Sequence, residues 1–147
     1  MVRTMELTDY DEVYALWKRI TGFAMRSIDD SRAGVERFLR RNPTTSVVAL
    51  IDGKIVGAIL CGHDGRRGCM YHVCVDPQYR LQGIGKEMVV FAMKALEKEE
   101  ISKISLIAFS QNDIGNAFWN QIGWTKRVDL NYYDFVLNKE NIVAYNQ

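Results

Sequence analysis

The stretch Val73-Cys74-Val75-Asp76-Pro77-Gln78-Tyr79-Arg80-Leu81-Gln82-Gly83-Ile84-Gly85-Lys86 runs an apolar strand into a proline stop, a glycine-bearing loop and a helix start. That order suits anion binding. Glycine at 83 and 85 removes side chains that would hold a ligand off the backbone, and the following helix offers unpaired N–H groups and a positive dipole end. A pyrophosphate fits such a seat. Two better-known glycine loops do not match: the dinucleotide form needs a third spaced glycine and an acid after the next strand, and the P-loop needs Ser or Thr where this chain has Glu87.

Other groups able to do chemistry lie nearby in sequence. His72 can be neutral at physiological pH and directly precedes the apolar strand. Tyr132 and Tyr133 carry weak acids on a later apolar run, and Asn112-Asp113-Ile114-Gly115-Asn116-Ala117-Phe118-Trp119-Asn120-Gln121-Ile122-Gly123-Trp124 has the look of a short helix with an aromatic stripe. Each has a plainer use as well: a strand histidine bonded to a carbonyl, an aromatic packed in the core.

Arg80-Leu81-Gln82-Gly83-Ile84-Gly85, preceded by Val73, Val75 and Pro77, resembles the Q/R-x-x-G-x-G/A motif and V-x-V-x-P lead of the GNAT superfamily of acyl-CoA N-acyltransferases. The segment from Asn112 to Trp124 is similar to that family's N-x-x-A-x-x-F/L-Y-x-x-x-G-F. The resemblance is detailed over the C-terminal half and covers only the order of elements before it. It implies an N-acetyltransferase that moves an acetyl group from acetyl-CoA to a primary amine by direct attack in a ternary complex. The amine could belong to a small molecule, a peptide N-terminus or a lysine. The alternative is an acyl-CoA-binding sensor that has lost turnover.

On this resemblance, backbone amides of Leu81, Gln82, Gly83, Ile84, Gly85 and Lys86 hold the pyrophosphate, with Arg80 or Lys86 adding charge. Val73, Cys74 and Val75 pair with the pantetheine amides, and the Val75 N–H serves as oxyanion donor. The chain departs from the pattern at two places: Trp119 stands where the family commonly has an acidic tyrosine, and Ile107 where one branch has a glutamate. Indole N–H donates but cannot protonate a thiolate. Trp119 is therefore left to bond the sulfur, pack the pantetheine or join the core. Substitute acids are Tyr132 and Tyr133, and the base is His72 or solvent. Asn112 bonds the pantetheine or caps the local turn. Phe23, Arg26, Asp29, Asp30 and Tyr132 are candidates for the acceptor side.

These residues must be positioned by elements the sequence also predicts. Thr8 with Asp9, Asp11 and Glu12 starts a helix whose Val13, Leu16, Trp17 and Ile20 share one face, ending near Gly22. Ser31 or Asp30 caps a second, with Val35, Phe38 and Leu39 inward, ending before Asn42-Pro43. Runs 46–51 and 54–62 flank Asp52-Gly53, a hairpin turn, and 69–75 continues as a third antiparallel strand. A helix over 85–100 follows, then a strand over 103–109, a helix capped by Asp113, and a terminal strand pair over 124–128 and 132–137. The last ten residues are expected to fray. The sum is an α+β fold with a mixed, largely antiparallel central sheet flanked by helices, in one domain over 1–147.

Composition narrows the remaining classes. At 147 residues and 48% hydrophobic, the chain can bury a core without metal or disulfide. A net charge of +1 supplies no broad field for nucleic acid or a membrane surface. Cys61, Cys69 and Cys74 form no C-x-x-C pair, so reduced thiols and no metal site are expected. Without a signal segment or membrane-length apolar run, a cytoplasmic protein is expected. The family resemblance adds homodimer formation through terminal strands.

Overall fold

The computed structural model describes all 147 residues. In chain order these are β1 (Val2–Thr4), α1 (Tyr10–Arg19), β2 (Ala24–Arg26), α2 (Arg32–Arg41), β3 (Val47–Ile51), β4 (Lys54–His63), β5 (Gly68–Val75), α3 (Ile84–Lys98), β6 (Ile104–Ser105), α4 (Asp113–Gln121) and β7 (Val143–Tyr145). Five strands form one mixed sheet ordered β1-β3-β4-β5-β6, antiparallel except for the β5–β6 pair. β2 and β7 pair separately. No helix is long and apolar enough to cross a membrane.

Asp52 and Gly53 both have positive φ, 50° and 77°, which lets the β3–β4 hairpin close in a two-residue turn. Each face of the sheet then carries its own apolar cluster. Val13, Leu16 and Trp17 of α1 and Val35 and Leu39 of α2 pack on Val48, Ile55, Ala58 and Cys74. Met88, Val89, Ala92 and Leu96 of α3 pack on Val47, Val56, Ile59 and Met70 on the opposite face. β4 is buried on both sides, which is why it reads as a continuous apolar run.

Helix starts differ in detail from expectation. Thr8 caps nothing: the chain makes a 3-10 turn over Leu7–Asp9, where the Glu6 N–H donates to Asp9 Oδ2, and α1 follows directly. Ser31 caps α2 by accepting from the Gly34 N–H at 3.1 Å. Asn112, not Asp113, caps α4, because its Oδ1 reaches the Gly115 N–H at 3.0 Å while Asp113 is already inside the helix.

Larger departures concern the C-terminal third. The strand expected over 103–109 pairs only at Ile104 and Ser105, since the chain then diverges from β5. The pair expected over 124–128 and 132–137 does not form: those residues have no regular secondary structure and no ladder partners. The tail expected to fray is instead tied down. β7 pairs with β2, Asn146 Nδ2 donates to the carbonyls of Trp17 and Ile20, and Asn141 donates to Asp29 and accepts from Ile28 and Asp29. Side-chain amides can add a second donor to carbonyls at the end of α1, a use that composition does not reveal.

Candidate active site

The central feature is the edge of β5 that faces away from β4. β6 runs parallel to β5 only over Gly68–Ile104 and Cys69–Ser105, and past that point the two strands separate toward their C-terminal ends. The outer edge of β5 is left without a strand partner over residues 70–75. The Asp76 N–H donates to the Val56 carbonyl of β4 at 2.7 Å, so by strand alternation the N–H of Val75 points away from β4, to the open edge. Arg80 Nε donates to the Val75 carbonyl at 3.2 Å, which places this guanidinium at the same edge.

At one end of the edge lies the glycine loop. Gly83 is the N-cap of α3 with φ 82°, and the first helical bond runs from the Glu87 N–H to the Gly83 carbonyl. No protein acceptor takes the amides of Leu81 through Lys86. That is the seat a diphosphate needs, and the residues fit it. The loop is propped by Asp76, which accepts from the Gln78 N–H at 3.0 Å and from Arg19 at 2.9 Å. Burial pulls the Asp76 pKa up, but these donors outweigh it and hold the carboxyl below the usual range.

The two glycines differ in role. A Cβ at Gly83 would meet nothing, so its requirement is the positive φ and the open seat. A Cβ at Gly85 would press on the Phe118 ring at 3.3 Å. Gly85 thus also serves the close approach of α4 to α3.

At the other end of the edge is His72. Ala58 faces Cys74 and Leu60 faces Tyr71, so His72 and Val73 together oppose Ile59: a β-bulge. His72 has φ 51°, a left-handed conformation that histidine tolerates better than most residues. The bulge changes the side-chain alternation. Met70 and Val73 pack with the α3 face, whereas the His72 ring turns to the α1 face, 4.9 Å from Trp17 and 4.6 Å from Phe23.

There His72 Nε2 lies 2.8 Å from Asp30 Oδ1, with side-chain exposures of 18% and 5%. A carboxylate can only accept, so Nε2 carries the hydrogen and Nδ1 is left as the acceptor of the neutral ring. Asp30 is itself fixed: Oδ2 accepts from the Arg26 N–H at 2.6 Å, and its carbonyl accepts from the Tyr10 hydroxyl at 2.6 Å. Gly34 permits this, because any Cβ there would strike the Ile28 and Asp29 carbonyls. The one buried side-chain polar atom lacking a partner, Trp17 Nε1, belongs to the ring beside His72.

The remaining candidates are not gathered here. Asn112 is spent as a helix cap. Trp119 packs between Phe118 and Trp124, at 4.9 and 4.7 Å, within the apolar cluster on the α3 face. Tyr132 and Tyr133 are exposed and hydrogen-bond to nothing in the chain. Of the acceptor-side candidates, Phe23 and Asp30 reach His72, while Asp29 is tied to Asn141 and the Arg26 side chain is exposed. The Asp30–His72 pairing joins residues 42 apart in sequence, and nothing local announces it.

Residues 10–124 match the family model described as the acetyltransferase (GNAT) family. The chain belongs to that family. An acetyltransferase of Sodalis glossinidius is 34% identical over 112 residues, covering 76% of this chain and 78% of that one. Among solved structures, the aminoglycoside acetyltransferase AAC(6')-Iy bound to a bisubstrate analogue superposes with a TM-score of 0.74 at 17% identity, covering 92% and 97% of the two chains. The PaiA N-acetyltransferase of Thermoplasma acidophilum, in complex with coenzyme A, gives 0.74 at 15% identity over 97% and 95%. These structural likenesses establish the GNAT fold, and the sequence relatives establish an acetyltransferase. Of the two motif departures, Ile107 is exposed and Trp119 is packed.

Proposed function

We propose that this GNAT acetyltransferase transfers the acetyl group of acetyl-CoA to a primary amine by direct attack, with His72 as the base. The observation that carries the reading is a single strand edge with unpaired helix-terminal amides at one end and a carboxylate-held imidazole at the other. When bound, acetyl-CoA supplies an activated acetyl group as a thioester. The amides of Leu81 to Lys86, with Arg80 and Lys86, hold the diphosphate, and the backbone of Val73 to Val75 pairs with the pantetheine arm along the open edge of β5.

His72 Nδ1 takes the proton from the incoming ammonium group, so that the amine lone pair is free to form the new C–N bond. Asp30 keeps the ring in the required tautomer and offsets the charge it acquires. The Val75 N–H donates to the carbonyl oxygen as negative charge builds there. No protein acid is needed at the sulfur, because a free thiol with a pKa of about 8.5 leaves tolerably as thiolate, which takes up the second proton that the nitrogen sheds as the amide forms. Trp119 is then a packing residue. Phe23, the partly exposed ring beside the imidazole, offers an apolar surface that suits an amine acceptor with an apolar stem.

Gly83→Glu read against Gly83→Ala is the sharpest test of the seat: both side chains strain the positive φ of residue 83, and only the carboxylate would also occupy the phosphate position. Calorimetry should show at least a 100-fold loss of coenzyme A affinity in a folded protein; unchanged affinity would remove the transferase reading. A panel of amines assayed for free thiol release separates the enzyme from a sensor. Tight acetyl-CoA binding with no turnover on any amine class would favour the sensor.

A further inference from the structure

The turn His63-Asp64-Gly65-Arg66-Arg67-Gly68 does more than join β4 to β5. With the last turn of α2 it borders a hollow of about 290 Å³, whose lining includes Arg41, His63, Arg67, Cys69 and Tyr71. That volume lies at the low end for small-molecule pockets and suits one end of a ligand. The hollow is rich in donors. The neighbouring Arg40 is taken by Glu36, but the Arg41 side chain bonds to nothing in the chain and Arg67 only to the Arg66 carbonyl at 3.3 Å. Asp64, the one acid in the lining, is spent on the turn, its Oδ1 accepting from the Arg66 and Arg67 N–H groups at 2.8 Å. His63 Nδ1 accepts from the Gly65 N–H at 3.0 Å, so the neutral ring carries its hydrogen on Nε2, as a further donor. Gly62 lets α2 come this close, since a Cβ there would press on the Asn42 side chain and the Phe38 ring.

Its place along β5 links it to the proposed site. Cys69 and Ser105 are the last ladder pair between β5 and β6, and both line the hollow, so it lies where the open edge begins. Phe38 packs on the apolar cluster that α1 and α2 share and meets Tyr71 edge-on at 6.0 Å. The His72 ring is on that same face, against Trp17. From Cys69 to His72 is three residues, about 10 Å of strand. Asp30 stands at the His72 end and two unpaired guanidiniums at the other, so the charge along this face runs from acid to base.

We propose that the hollow is a second subsite for the acceptor, taking a carboxylate or phosphate group carried about 10 Å from the reacting amine. The acceptor is then a small dipolar molecule of the ω-amino acid type, its stem lying over Tyr71 and Phe38 and its anion gripped by Arg41 and Arg67, whose planar forks match either anion. The spacing rests on the reading of His72 as the point where the amine is delivered. The preference for an anion does not.

Calorimetry on the coenzyme A complex tests this without turnover. The probes are ω-acetamidoalkanoates of graded length, the products such acceptors would give, beside N-alkylacetamides of the same lengths. The acids should bind at least tenfold tighter, with an optimum at the length that spans about 10 Å. The double variant Arg41→Gln, Arg67→Gln should bring acid and neutral ligand to parity while circular dichroism and coenzyme A affinity hold. Arg41→Glu, Arg67→Glu should reverse the order and favour the monoacetylated α,ω-diamines, which a purely structural role would not produce. The ω-acetamidoalkyl phosphates separate the two anions: tighter binding than the carboxylates assigns phosphate, weaker binding assigns carboxylate. Parity in the wild type, no measurable binding of the acids, or an acid preference that survives both double variants would each overturn the subsite. Turnover of ω-aminoalkanoates is read separately, so anion preference without turnover would fail the transferase reading alone.

Discussion

His72 and Asp30 make a pair in which proton transfer and packing can be told apart by substitution. His72→Gln keeps an amide N–H for Asp30 and fills similar volume, but has no titrating acceptor. The expected outcome is a 10²–10⁴-fold fall in kcat, with the acid limb of the kcat/KM profile gone and acetyl-CoA affinity within twofold of the parent. A lowered rate with the limb intact would show that the ring only packs. The cysteines make a second residue-scale case. Burial pushes the thiols of Cys61 and Cys74 up to about 12, and Cys69 is the least enclosed of the three. Iodoacetamide at pH 8 should therefore label Cys69 alone in the folded protein, and all three after denaturation, as mass spectrometry would show.

Among the elements, the C-terminal clasp matters most for the acceptor side. β7 pairs with β2, and Asn141 and Asn146 tie residues 17–29 into the position that delivers Phe23 and Asp30 to His72. Deleting residues 142–147 removes the β2–β7 ladder and the second donor, Asn146 Nδ2, that the Trp17 and Ile20 carbonyls accept from. The chain should lose several degrees in Tm, at about 2–4 °C per kcal/mol for a domain of this size. Its KM for the amine should rise at least tenfold while its coenzyme A affinity holds, because the glycine loop belongs to α3 and β5. Equal losses on both substrates would mean that the clasp stabilises the whole sheet.

At the scale of the molecule, acid stability follows from two carboxylates that join distant segments. Asp9 is held below its ordinary pKa chiefly by its hydrogen bonds from Arg3, against an opposing effect of burial. Asp76 is held low by Gln78 and Arg19 despite burial. Depressed folded-state values mean that the unfolded chain binds more protons, so stability rises with pH across that window. The contribution is present above the unfolded value of about 3.9 and is lost as pH falls through the lower folded values. Tm should be nearly flat from pH 7 to 5 and fall steeply below 4, and Asp76→Asn should reduce that slope. A slope unchanged by Asp76→Asn would exclude this carboxylate.

The amino-acid order alone determined what depends on near neighbours. Asp52-Gly53 dictates its turn, Ser31 its cap, and Gly83 next to a helix start its open amides, because each acts within a few residues of itself. Strand existence in 46–75 was legible for the same reason. Tertiary structure decided where distant groups meet. A one-residue bulge turned His72 to the α1 face, Gly34 let the 28–30 loop bring Asp30 to it, and the end of β5–β6 pairing at Cys69 left the strand edge beside both unpartnered. The fate of 124–137 was likewise invisible locally: its composition specifies a strand, but pairing needs an edge, and whether one lies within reach is a property of the assembled sheet.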